Sequence, residues 1–163
     1  MRFSLTRRAL PAALAGAAVL LARASKAATG ETFRAIEVDV APLRASGDTI
    51  TARWLSEDLP DLLRRAFADH LAPSDRNAPV LVARIDSVSY GTAGSAMEMM
   101  TSTNDFIEGA AVVRSGGRTQ ATYPLTTSVG VGAALIDAEN GGELRALALA
   151  GVFARWLPSQ MGL

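Results

Sequence analysis

Ile50 to Leu71, ITARWLSEDLPDLLRRAFADHL, is the stretch whose reading decides the fold. Leu55, Leu59, Leu62, Leu63, Ala66, Phe67 and Leu71 recur at helical spacing, with Trp54 at their edge. Arg53, Glu57, Asp58, Asp61, Arg64, Arg65 and Asp69 fill the other side. Such an amphipathic helix needs a surface to cover its apolar face. Asp48, Thr49 and Thr51 are all candidate caps for its first turn. Pro60 lies within the stripe, where proline removes a backbone bond and disfavours helix at the residue before it. Either the helix starts at Pro60 or one kinked helix runs through. The stripe keeps its phase from Leu55 through Leu59 to Leu62, which favours the continuous helix, and Pro73 forbids continuation past Leu71 and Ala72.

The covering surface is read from runs on either side. Residues 33–40 alternate apolar with polar, the period of a strand with one buried face. The phase slips once, which sets the strand to begin at Ala35 and end at Pro42. Residues 44–48 are turn-rich and read as a loop. Residues 79–90, PVLVARIDSVSY, are rich in β-branched residues and form a second strand. Residues 105–114 and 118–129 make a hairpin around Ser115-Gly116-Gly117, with Pro124 marking its second strand as an edge or a bulge. Asn140 and Glu143 have the spacing of a capping box, Leu144 to Leu157 is Ala/Leu-rich and helical, and Pro158 stops it. The order β-α-β-β-β-α predicts an α+β two-layer sandwich: an antiparallel sheet with both helices on one face.

The N-terminus predicts export. Arg2, Arg7 and Arg8 precede an apolar run, Ala9 to Ala22, of signal-core length and too short to span a bilayer. Ser25-Lys26-Ala27 ends in the small residues a signal peptidase accepts, so residues 1–27 read as a signal peptide cleaved after Ala27, with residues 28–163 as a single α+β domain. The competing reading is an uncut membrane anchor. Thr6-Arg7-Arg8-Ala9-Leu10 resembles a twin-arginine export signal, although arginine pairs also occur in ordinary secretory leaders. The expected location is the periplasm or the medium, with no stable membrane anchor once the leader is removed.

Composition narrows the function classes. The leader holds five of the 16 basic residues and none of the 16 acidic ones, leaving 11 against 16 and a net charge of −5. That balance argues against non-specific nucleic-acid binding and against docking on anionic lipid. The remainder contains no lysine, so Schiff-base and Walker-type chemistry have no candidate there. The absence of cysteine removes disulfides, thiolate catalysis, iron–sulfur ligation and cysteine zinc sites.

No catalytic constellation is predicted. His70 is the sole histidine, and its place in the last helical turn fits a residue favoured by the helix dipole. Glu57 and Asp61 share a helix face, but Arg64 and Arg65 follow at ion-pairing distance, so a solvated charged face is expected. Gly130-Val131-Gly132 lacks the third glycine of a phosphate loop. Trp54, Tyr123 and Trp156 read as core or core-edge residues. Met97, Met99 and Met100 are the most unusual cluster. Thioethers at that spacing are soft ligands suited to Cu(I), yet no histidine or cysteine accompanies them. We expect no metal and no cofactor, and read the 91–104 loop as a surface for a partner protein or an apolar ligand. The alternative is a soft-metal or small-ligand carrier built on that loop.

Val38-Asp39-Val40-Ala41-Pro42-Leu43, Trp54-Leu55 opening the helix, and Leu81-Val82-Ala83-Arg84-Ile85-Asp86 carry a pattern-level resemblance across most of the chain beyond the leader. The order they punctuate resembles small Gram-negative envelope proteins: lipopolysaccharide-assembly lipoproteins and auxiliary components of ABC-type transport systems. The resemblance implies a non-catalytic role in binding or envelope assembly, with an envelope protein or envelope component as partner. The chain departs from the lipoproteins in lacking the lipid-modified cysteine.

Overall fold

An 18-residue helix between two adjacent strands carries the chain back to the end from which it started, so those strands run parallel. That is the arrangement in the computed structural model, which describes residues 31–91, 103–131 and 139–163. Strand β1 (Ala35–Asp39) is followed by a short helix α1 (Ala41–Ala45), the long helix α2 (Thr49–Ala66) and strand β2 (Val80–Ser89). Strands β3 (Thr103–Ser115) and β4 (Arg118–Val131) form the hairpin, and helix α3 (Gly141–Met161) closes the chain.

The sheet order is β1-β2-β3-β4. β1 pairs parallel with β2, from Ala35 opposite Val80 to Asp39 opposite Arg84, whereas β2, β3 and β4 are antiparallel. The antiparallel sheet expected from sequence is therefore corrected to a mixed one. The α+β character and the hairpin stand as expected, and β4 is the edge strand that Pro124 indicated.

Helix α1 takes the expected end of the first strand and the first two residues of the expected 44–48 loop. Pro42 occupies the first turn, where a missing N–H leaves no bond unmade, and Asp39 Oδ1 accepts from the Ala41 N–H at 2.9 Å. Gly47, at φ +93°, turns the chain out of α1. Asp48 caps α2, accepting from the Thr51 N–H at 3.2 Å, and the helix runs unbroken through Pro60. It stops at Ala66, five residues before the expected end. Phe67 turns inward to meet Phe33 edge-to-face at 5.9 Å, and a 3₁₀ turn over Ala68–His70 delivers the chain to Phe33. There the Phe33 N–H donates to the His70 carbonyl at 2.8 Å, and the Ala72 N–H donates to the Phe33 carbonyl at 2.9 Å.

Helix α3 starts where a cap at Asn140 places it and runs four residues past the expected end at Leu157. Asn140 holds the cap position, but its side chain makes no capping bond, so the box with Glu143 does not form. Pro158 lies inside the last turns instead of ending the helix. Gly162, at φ +81°, closes it with a bond from its N–H to the Ser159 carbonyl at 3.1 Å.

Both long helices cover one sheet face. Leu55, Leu59 and Leu63 of α2 and Leu149, Phe153 and Leu157 of α3 join Leu81, Ala83, Ile85, Ile107, Ala111 and Val113 in one buried cluster. At about 25 cal/mol per Å² of apolar area buried, this cluster dominates the stability. The opposite face carries a smaller cluster of Val80, Val82, Ala110 and Val112. A β-bulge between Ile85 and Ser87 shifts the register of β2 on β3. It brings the Arg84 carbonyl so near Gly109 that a Cβ there would lie 2.2 Å from the oxygen. This position needs glycine for a close backbone approach.

Candidate functional site

The charged residues that stand apart are those on apolar stripes. Asp105 shares the inward phase of β3 with Ile107, Ala111 and Val113. Arg145 shares the inward stripe of α3 with Leu149, Phe153 and Leu157, one turn from the helix start. Asp105 is fully buried and Arg145 is 9% exposed. A buried ion persists only when paired and hydrogen-bonded, and these two are. Arg145 Nε donates to Asp105 Oδ2 at 2.8 Å, and its Nη2 donates to Asp105 Oδ1 and to the Gly91 carbonyl, the latter at 2.7 Å. The Gly91 N–H donates to Asp105 Oδ1 at 2.9 Å.

Tyr90 completes the cluster. Its ring lies under the Arg145 guanidinium, 4.9 Å from centroid to carbon, a cation–π geometry. Its hydroxyl lies 3.2 Å from Thr51 Oγ1 in the first turn of α2. Five residues thus tie together the starts of α2 and α3, the end of β2 and the start of β3. The hydrogen bond to Asp105 raises the Arg145 pKa above its usual value, outweighing the opposing effect of burial. Burial raises the Tyr90 phenol above the ordinary tyrosine value, against a smaller downward pull from Thr51.

Chemically, the cluster is a clamp. The guanidinium stays protonated and cannot act as an acid or base, and among the described residues the carboxylate accepts from three donors. What the clamp positions is Gly91, held at both its N–H and its carbonyl, and Asp105, two residues into β3. These are the roots of the connection between β2 and β3.

The residues singled out in the sequence are dispersed. His70 is partly buried with Nδ1 3.2 Å from the Glu31 carbonyl. Asp61 is ion-paired with Arg64, as the charged-face reading expected, and Glu57 is exposed. Trp54 is half-buried against Gly142, but Trp156, expected at the core edge, is 55% exposed. Met97, Met99, Met100, Arg7, Arg8 and the cleavage position after Ala27 lie outside the described residues. Among the described residues no group of three or more His, Asp or Glu side chains is placed to hold a metal ion, and no helix is long and apolar enough to cross a membrane. The cluster itself was missed from sequence, although the signal existed: a charge in phase with a buried stripe on β3 and another on α3.

No family model matches the chain, and no curated protein does. Among solved structures, a minor lipoprotein from Acinetobacter baumannii is similar at 12% identity, covering 78% of this chain and 92% of that one, with a TM-score of 0.42. A likeness of that degree carries no argument about what this chain does.

Proposed function

We propose that this chain is a non-enzymatic, exported module that binds an envelope protein or another envelope component in the periplasm. The observation that carries the reading is the clamp. Asp105 and Arg145 hold both ends of the β2–β3 connection on a rigid sheet, and binding residues concentrate on connections presented by rigid scaffolds. The apolar leader with Arg7 and Arg8 supports export, with cleavage after Ala27. The methionines at 97, 99 and 100 give the connection the adaptable apolar character suited to a partner surface.

Two measurements test this. N-terminal sequencing of the protein recovered from the periplasmic fraction should begin at Ala28, and a full-length chain confined to the cytoplasm rules the reading out. A photo-crosslinking residue at position 98 should trap one discrete envelope partner that the same residue at Asp75 does not. Replacing Met97, Met99 and Met100 with leucine keeps the apolar surface but removes the thioethers. Partner capture should survive that change, whereas its loss together with bound Cu(I) favours the soft-metal carrier.

A further inference from the structure

We infer that the outer face of the two-helix layer is a self-complementary surface, and that its occupant is a second copy of this chain. The argument begins with helix direction. Gly142 of α3 stands against Trp54 of α2, Leu147 lines a recess with Asp58 and Asp61, and Gly151 and Arg155 line a second recess with Leu62 and Ala66. The two helices therefore run side by side in the same direction, with a groove between their outward faces. The first recess is about 200 Å³ and the second about 410 Å³, with Leu62 and Arg65 shared by both.

The sign of the charge changes on passing Leu62 along this groove, with Arg65 reaching into both recesses. Asp58 and Asp61 precede Leu62 on α2, Arg65 follows it, and Arg155 lies on the same side as Arg65. Among the described residues Asp58, Arg65 and Arg155 make no ion pair, whereas Asp61 pairs with Arg64, so Asp58 opposite Arg65 is the main charge contact of the arrangement. A half-turn about an axis through Leu62, perpendicular to the helices, lays the acidic end of one groove on the basic end of the other. That is the condition of an isologous two-fold contact, in which residue i meets j and j meets i.

Shape agrees with charge. Leu147 projects from α3 at 41% exposure, and one turn later Gly151 leaves a gap with nothing within 4 Å of where a Cβ would stand. Gly151 stands beside Leu62 and so lies close to the axis, where its missing side chain lets the two copies' helix faces approach closely, with each copy's Leu147 flanking that centre. Leu144, 37% exposed, extends the apolar strip. An apolar centre flanked by opposite charges is what a dimer face requires. The β4 edge of the sheet is a weaker route to self-association. Pro124, midway along β4, has no N–H to offer, and its carbonyl accepts from Gln160 Nε2 at 2.9 Å.

The test is sedimentation equilibrium of the purified protein at low salt. A concentration-dependent dimer is expected, and a protein that stays monomeric at concentrations on the order of 100 μM overturns the inference. The charge variants D58R with D61R, and R65E with R155E, should each be monomeric while keeping the parent's helical circular dichroism. Their equimolar mixture should restore a dimer, because every contact then pairs opposite charges. Gly151→Leu fills a gap that is open in the single chain, so it should weaken association at least about tenfold with no loss of melting temperature. Dimerisation that survives both the charge variants and Gly151→Leu places the contact elsewhere and sinks the proposal. None of these outcomes depends on partner binding by the β2–β3 connection.

Discussion

Two arginine–carboxylate pairs with similar fork geometry sit in opposite surroundings. On the open sheet face Arg84 Nε and Nη2 donate to the two oxygens of Asp86 at 2.8 and 3.1 Å, with side chains 42% and 40% exposed. Inside the layer, Arg145 grips Asp105 through the same two nitrogens, with side chains 11% and 0% exposed. Water solvates the first pair whether or not it forms. For the second pair, each ion is the other's solvent, together with Gly91 and the Tyr90 ring. The consequence of losing one partner therefore differs far more than the hydrogen-bond distances do.

The largest effect should come from Arg145→Ala. It strands the Asp105 carboxylate in the core, and breaking a buried pair from one side costs about 3–5 kcal/mol. Urea unfolding should show a much lower midpoint with an unchanged slope. Replacing both partners, Arg145→Met with Asp105→Leu, removes the stranded charge and should recover most of the loss. If Arg145→Ala instead costs no more than an exposed-pair substitution, the contrast between the two settings collapses.

Next in size is Gly109→Ala. The bulge that exposes Asp86 presses the Arg84 carbonyl against Gly109, and backbone cannot yield as a flexible side chain does. Overpacking of this kind costs about 1–3 kcal/mol. Near the exposed pair, then, the expensive contact is backbone on backbone rather than charge on charge. A melting temperature unchanged by Gly109→Ala would show that the bulge relaxes freely.

Tyr90 sharpens the buried side. Its phenol has a folded pKa raised above the ordinary 10.0, chiefly by burial. Such a group lends stability that is fully present below the unfolded value of about 10 and is lost as pH rises through the higher folded value. Stability should therefore fall above about pH 10, with phenolate absorbance lagging behind that of free tyrosine. Tyr90→Phe should cost about 0.5–1.5 kcal/mol at neutral pH through the lost Thr51 contact, and should shrink the alkaline fall. Tyr123, also raised by burial, keeps part of it.

The same contrast explains what was legible in the sequence. Local patterns announced themselves: the α2 stripe continued through Pro60, the Gly116-Gly117 turn closed the hairpin, and Pro124 marked an edge. Strand direction did not, because alternation records which face is buried and not which neighbour is paired. The clue was the helix between β1 and β2, which implied a parallel crossover. The clamp joins residues 40 and 54 positions apart, so no spacing rule brings them together. Its trace was two charges in phase with apolar stripes, Asp105 and Arg145, each unremarkable alone. The early end of α2 was equally hidden, since Phe67 leaves the helix to meet Phe33.

The smallest effect should be Asp86→Ala. Arg84 has its pKa raised first by the hydrogen bond to Asp86 and then by its charge, yet that shift translates weakly into stability where both side chains meet water. Exposed pairs contribute about 0.2–1 kcal/mol, and salt erodes even that. The variant should lie within this range of the parent at low salt, and the gap should close at 1 M salt, where the screening length is about 3 Å. The gap opened by Arg145→Ala should persist at the same salt, because ions do not reach a carboxylate with no exposed surface. Equal salt sensitivity in the two variants would mean that Asp105 is open to solvent, and would remove the basis for treating the inner pair as the clamp of the β2–β3 connection.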